Sequence, residues 1–368
     1  MGVIRFLLAL SVLGAHTGGI FGLTFVGGKI AVQTFFIISG FYMALILEKK
    51  YTGKGSYKLF ITNRFLRIFP IYFVVLFLSI FLYYFLFLEK GIGPFHFFSD
   101  YFFRMNIFLQ LYLILSQLSI FGLDWVMFLG VHAKNGLPFF TPDYLSTKPL
   151  LYDFLFVPQA WTLSLELLFY LFIPFVFRRM KLLMVLIFAS ISLRVVLYGM
   201  GLHHEPWTNR FFPTELVFFL LGVFICRTSE FIRLFVSHRY ISIYFICFLL
   251  FFFFYQYIPY MFLLVDIKQF LFFLLLIGGL PGFFLFSQKN RLDYLFGELS
   301  YPMYLSHIFV FSFVTFFNTS QPQLHGIETA VITSIISFFL YFFIDRPIDT
   351  YRQWRVLQAK KNKKRIVP

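Results

Sequence analysis

Cysteine, acidic residues and charge in general are what this chain has least of. Only two cysteines occur among 368 residues, Cys226 and Cys247, each inside an apolar run. A disulfide scaffold is therefore excluded. Charged residues make up 13% of the chain and hydrophobic ones 60%, with a mean hydropathy of +0.82. A soluble domain carries about 25% charged and roughly 45–50% apolar residues, so an ordinary water-soluble enzyme is excluded, and the apolar content excludes disorder. Asp and Glu number 16 against 31 Lys and Arg, a net charge of +15. In a soluble protein that excess would suggest nucleic acid; here it points to basic loops on the cytoplasmic side of a membrane, and no nucleic-acid partner is expected. A Gly-x-x-x-x-Gly-Lys loop is missing, which argues against a nucleotide triphosphatase. There is no internal repeat, low-complexity linker or domain-sized soluble block. His203 and His204 stand beside Glu205 without zinc-ligand spacing, so no metal is expected.

What the chain has instead is apolar runs and 61 phenylalanines. Phe suits a lipid-facing position and carries no function by itself. The runs predict an all-α integral membrane protein of ten spans, near residues 3–23, 30–47, 68–88, 160–177, 182–200, 213–226, 241–257, 269–286, 299–317 and 327–344. Between spans three and four lies a large outer loop, about 89–159. Within it 106–129 is long enough to cross, but Gln110, Ser116, Gln117, Ser119, Gly122 and Asp124 interrupt it. It reads as an interfacial or re-entrant segment, or alternatively as an eleventh span. With the N-terminus inside, 23 Lys and Arg fall on the cytoplasmic side, including Lys54, Arg233 and the tail, and seven fall outside, including Lys29 and Lys134. Arg194 lies within span five. This asymmetry favours ten spans with both termini cytoplasmic. The first run could also be a signal peptide, but no clean small-x-small cleavage site follows and His16 interrupts the apolar core. Residues 1–345 read as one transmembrane domain, and 346–368 as a basic cytoplasmic tail lying on the anionic inner surface.

Ionisable side chains within spans are costly and often mark function. Arg5 and His16 are eleven positions apart, three helical turns plus about 20°, so they share one face about 16 Å apart along the axis. Arg5 alone reads as an inside anchor; a deep imidazole can exchange protons near neutral pH. Arg64 and Arg67 form an R-x-x-R on one side of a helix, with Lys49, Lys50, Lys54 and Lys58 nearby. They suit phosphate recognition or plain inside anchoring. The segment Phe35-Phe36-Ile37-Ile38-Ser39-Gly40-Phe41 offers a hydroxyl and a close-approach glycine, which ordinary small-residue helix packing also explains. Trp161-Thr162-Leu163-Ser164-Leu165-Glu166 opens span four and carries a carboxylate about two turns in. Arg194, Lys29 and His16 are its candidate partners. Ser300-Tyr301-Pro302-Met303-Tyr304-Leu305-Ser306-His307 brings a second intramembrane histidine, either a satisfied core residue or part of a site. Glu298, Asp345 and Asp349 sit at inside ends, solvated or paired with arginines.

Taken in order, R-x10-H, Phe-Phe-x-x-Ser-Gly-Phe, R-x-x-R before Pro70, Trp-Thr-Leu-x-x-Glu with Phe169-Tyr170 and Pro174, and Ser-Tyr-x-x-Tyr-Leu-x-His give the chain a family likeness. It resembles the acyltransferase 3 family of membrane O-acyltransferases from Arg5 to Arg346-Pro347. The resemblance implies that His16 is catalytic, with Arg5 implicated beside it, and that Arg64 and Arg67 recognise acyl-CoA. It implies transfer of an acyl group, commonly acetyl, from cytoplasmic acyl-CoA to a hydroxyl of an extracytoplasmic or lipid-linked glycan such as O-antigen, lipopolysaccharide or exopolysaccharide, in a bacterial inner membrane. Acyl-CoA would be a substrate rather than a resident cofactor. Some members carry an extra C-terminal hydrolase-like domain. Only 24 residues follow Ile344, so that domain is expected to be absent here.

The picture that fits has the CoA phosphates held inside by Arg64, Arg67 and nearby lysines. The thioester would thread along the Arg5–His16 face, and the sugar would come from outside near Glu166. His16 is then a general base or a transient acyl carrier. Glu166 is expected to orient the imidazole, and Ser39, Tyr301 or His307 to polarise the thioester carbonyl or line the tunnel. The runner-up is a secondary transporter or flippase for a lipid-linked glycan, although neither inverted repeats nor paired broken helices are visible. A membrane glycosyltransferase is third, with only Asp100, Asp124, Asp143 and Asp153 scattered in the outer loop.

Overall fold

Lipid offers a backbone no hydrogen-bond partner, so apolar runs of this length fold as helices whose polar groups are satisfied internally. The computed structural model describes residues 1–53, 55–132, 135–232, 238–258, 267–317 and 321–366, and the chain is 80% helical. In order come α1 (Gly2–Thr17), α2 (Gly27–Lys49), α3 (Ser56–Lys90), α4 (Pro94–Asp100), α5 (Ile107–Ser119), the strands β1 (Leu129–Val131) and β2 (Pro138–Phe140), then α6 (Trp161–Val176), α7 (Met180–Gly199), α8 (Phe212–Ile232), α9 (His238–Phe254), α10 (Ile267–Ser287), α11 (Arg291–Phe317), α12 (His325–Leu340) and α13 (Arg346–Ile366). A π-helical turn, Tyr341–Asp345, joins α12 to α13. Among the described residues nine helices are long and apolar enough to cross a membrane, with α12 and α13 counted as one. The chain is thus an all-α integral membrane bundle. Lys54, Lys134 and Arg233, and the side chains of Arg239, Lys363, Lys364 and Arg365, lie outside the described residues.

One expected span comes out shorter, and the 106–129 segment is not the eleventh span that stood as its alternative. The first, 3–23, is not one helix: α1 stops at Thr17, where Gly18 turns left-handed at φ 79°. Ile20 and Leu23 then exchange backbone hydrogen bonds of 3.0 and 2.9 Å across a tight turn. The 16 residues of α1 reach about 24 Å, short of the roughly 30 Å of hydrocarbon. His16 therefore sits in a helix's last turn rather than deep within one. The 106–129 segment does not cross either. Its helix α5 has 13 residues, about 20 Å long, and ends where Ile120 adopts φ 69°.

The helices meet around one continuous apolar core. Within it α2 crosses α8 closely through two glycines. A Cβ on Gly40 would lie 1.9 Å from the Phe219 carbonyl oxygen, and one on Gly222 would lie 1.9 Å from that of Ile37. Gly40 thus serves helix packing. The rings of Phe36 and Phe169 stack on Phe219 from either side, centroids 4.3 and 4.4 Å away. Helices α1 and α11 run parallel and in step. The Asp293 carboxylate accepts from the backbone N–H groups of Gly2 and Val3 at 2.7 and 3.0 Å, capping the orphan donors that α1's own N-cap leaves. Fourteen residues further on in each helix, His16 meets His307.

Large apolar side chains such as Phe77, Phe81 and Phe188 stay 70–72% exposed on the outside of the bundle. Over one end folds the loop of 91–160. Gln117, which interrupts the apolar pattern, is buried and ties this loop down. It donates to the Phe154 carbonyl (3.2 Å) and accepts from the Phe156 N–H (2.8 Å). Its own carbonyl accepts from Tyr72 of α3 (2.5 Å). Asp124, buried in the same loop, accepts from the Ser164 hydroxyl at 2.6 Å, and burial pushes its carboxyl up to about 6. We call this end the loop face, and the end carrying Met1 the basic face.

Candidate active site

A cavity of about 520 Å³ runs inward from the basic face. Helices α1, α3 and α13 bring Arg5, Arg64, Arg67 and Arg352 to it, and the end of α2 brings Lys50. Such a mouth exists because the helices present their basic ends together. The volume falls in the range of ligand pockets, about 300–1,000 Å³. Deeper in, Ser39, Glu166, Tyr170, Tyr301, Thr162 and Tyr304 continue the lining. Six of the eight side chains expected at a site thus share one wall: Arg5, Ser39, Arg64, Arg67, Glu166 and Tyr301. His16 and His307 do not line it.

The two arginines of the R-x-x-R differ. Arg67 Nη1 lies 2.7 Å from Glu298 and 2.5 Å from Asp345, and its guanidinium sits 5.9 Å from the Tyr301 ring centroid. Two carboxylates already neutralise it. Arg64 has no ion pair among the described residues. Its guanidinium packs on the rings of Phe60 and Tyr170 at 5.8 and 6.0 Å, and its buried Nε has no hydrogen-bond partner. Arg64 is therefore the half of the motif that no ion pair among the described residues occupies, and its fork suits an anion. Tyr301 is also committed: its hydroxyl donates to the Ile68 carbonyl at 2.7 Å, so that proton is not available to a thioester.

Glu166 pairs with none of its three candidate partners. Arg194 goes to Glu215 instead, in a buried cluster where Gln33 also donates to Glu215 at 3.1 Å. Around the Glu166 carboxyl are Ser39 and Tyr170, and the cations acting on it are Arg5 and Arg64. The Ser39 and Tyr170 hydroxyls lie 3.3 Å apart. Glu166 therefore belongs to the cavity floor and not to His16.

At the inner end of the cavity the Tyr304 hydroxyl lies 2.9 Å from that of Thr162 and 3.1 Å from the Gln159 carbonyl. One turn on, His307 is fully buried. Its Nδ1 is 2.6 Å from the Tyr304 carbonyl oxygen. A carbonyl only accepts, so Nδ1 carries the proton and Nε2 is left with a lone pair. That Nε2 has no partner among the described residues. The His307 ring lies 5.8 Å from the Tyr304 ring and 5.3 Å from the His16 ring, centroid to centroid. His16 is itself exposed, on the loop side, where Arg210 and Glu205 act on it. Arg210 sits 4.5 Å over the Trp161 ring and 2.5 Å from Glu205. The order from basic face to loop face is thus Arg64, Glu166, Tyr304, His307, His16.

Sequence reasoning assigned no role to Tyr170, Thr162 or Tyr304, although all three stand inside motifs it singled out. It placed Arg352 in a surface tail. No cluster of three or more His, Cys, Asp or Glu side chains gathers among the described residues.

The helical bundle is thus hollowed from a basic mouth toward a pair of histidines. The family model for an acyltransferase domain matches residues 1–345. The chain belongs to the acyltransferase 3 family and is a membrane acyltransferase. No match is found among the curated proteins or the solved structures.

Proposed function

We propose that this protein is an O-acyltransferase, acetyl being the favoured group, that moves the acyl from cytoplasmic acyl-CoA to a hydroxyl of an extracytoplasmic glycan. The observation that carries this reading is the sequence of groups across the bundle: an arginine-lined cavity from the basic face, then Tyr304 and His307, then His16 open to the other side. The basic face is the cytoplasmic one, and the protein sits in a bacterial inner membrane. The nucleotide phosphates stay at the mouth near Arg64, and the pantetheine arm extends along the cavity floor past Glu166. The thioester must pass Tyr304 to reach His16. A lipid-linked or surface glycan reaches His16 from the loop face, beside Trp161 and Arg210.

In the direct route His16 takes the proton from the sugar hydroxyl as its oxygen bonds to the thioester carbonyl carbon. The tetrahedral intermediate collapses, the C–S bond breaks, and the leaving thiolate receives that proton to give free CoA and the glycan ester. In the relay route the imidazole nitrogen bonds to the thioester carbon first, the C–S bond breaks and the thiolate leaves with the ring proton as free CoA. The sugar hydroxyl then takes the acyl group as the N–acyl bond breaks, and its proton returns to the imidazole. Both require His16 neutral on arrival of the donor. Replacement of His16 by Ala should cut ester formation on envelope polysaccharide by at least about a hundredfold, while the protein still inserts in the membrane. Measured with labelled acetyl-CoA in membrane vesicles, undiminished transfer would reject the assignment.

A further inference from the structure

Helix α13 lies beyond the matched residues 1–345, and its sequence reads as a basic tail. In the structure it returns to the bundle. Arg355 donates to Asn63 Oδ1 at 2.7 Å and to Thr62 Oγ1 at 2.8 Å, both on α3. This pins α13 beside the cavity mouth, and Arg352 becomes part of its wall. The Arg352 side chain is only 8% exposed. Its Nη1 lies 3.1 Å from Asp349, yet neither Nε nor Nη1 has an aligned hydrogen-bond acceptor. Arg64 and Arg67 lie close enough to repel it. Arg67 is held by its two carboxylates, whereas Arg64 has no ion pair among the described residues and its Nε is also unpartnered.

A buried guanidinium and a half-buried one that face one cavity with donors unfilled are costly unless an anion joins them. Planar forks of this kind match phosphate oxygens. We propose that Arg352 and Arg64 together form a phosphate site at the cavity mouth, filled by the nucleotide phosphates of the acyl donor. The tail helix, outside the family's domain, thus supplies a binding residue to the donor site. Asp349 holds the Arg352 guanidinium when the donor is away and competes with the phosphate when it arrives. The assignment rests on the donor reading above and deepens it.

The test measures CoA affinity of the full-length protein in phosphatidylcholine nanodiscs, by calorimetry, with pantetheine as the probe that lacks every phosphate. Arg352→Gln should weaken CoA binding about tenfold and leave the weaker pantetheine binding unchanged. Asp349→Asn, which removes the competing carboxylate, should tighten CoA binding, a direction that damaged folding does not produce. CoA binding by R352Q within twofold of wild type overturns the assignment alone, as does weaker binding by D349N. If R352Q differs from wild type only in discs containing phosphatidylglycerol, the site belongs to lipid headgroups and the assignment is again overturned. Wild type that fails to bind CoA at all overturns the donor reading and the assignment with it.

Discussion

Two arginines three positions apart on α3 illustrate how the same residue type takes different roles once its surroundings are fixed. Arg67 holds Glu298 and Asp345, from α11 and the turn after α12. Removing it leaves two carboxylates facing each other with little water. Arg67→Gln should therefore destabilise the protein by about 3–5 kcal/mol, the cost of orphaning a buried pair, seen as a large fall in melting temperature in detergent. Arg64→Gln should keep the melting temperature and lose donor affinity. Equal melting losses in both variants would mean that the two arginines do the same job. The R-x-x-R motif was legible in the sequence, and pairing with arginines was one of two readings for Glu298 and Asp345, solvation being the other. Which arginine they find was not legible, because the partners lie 231 and 278 residues away and no local periodicity carries that information. Glu166 shows the same limit. Its depth in a helix was readable, but its neighbours were set by how α6 packs against α2 and α3.

Helices were the easiest part to read and their ends the hardest. Every long apolar run became a helix, since hydrocarbon permits nothing else. Composition does not mark where a chain leaves the helix. The run 3–23 reads as one span, yet Gly18 ends α1. On α3 the helix starts at Ser56, well before the apolar stretch at 68, because lysine and arginine are good helix formers. The same property makes the charged stretch 346–366 a helix rather than a loose tail. Crossings between helices follow from small residues. At Gly40 even one methyl meets the Phe219 carbonyl oxygen at 1.9 Å, far inside contact. Gly40→Ala should cost about 1–3 kcal/mol or more through forced separation of α2 and α8. Gly199→Ala, where nothing lies within 4 Å of the added carbon, should be neutral or slightly stabilising. Thermal unfolding of the pair in one detergent checks this, and equal behaviour would refute the crossing argument.

At the scale of the molecule, an apolar belt and a skewed charge distribution define two faces. The excess of Lys and Arg gathers at the face where α1, α3, α11 and α13 present their basic ends, which the positive-inside rule makes the proposed cytoplasmic side. In a background with Cys226 and Cys247 replaced, Lys148→Cys in the exposed loop should react with an impermeant maleimide in intact cells, and Lys289→Cys only after lysis. The reverse pattern would invert the bundle and with it the direction of transfer. The π-helical turn Tyr341–Asp345 has an effect reaching beyond its five residues. It sets the rotational phase of the helix that follows. Adding or deleting one residue between Asp345 and Arg352 would swing the guanidinium about 100° around the axis. The tail would keep its length, its charge and its helicity, and would nonetheless point its arginine away from the chamber it helps to close.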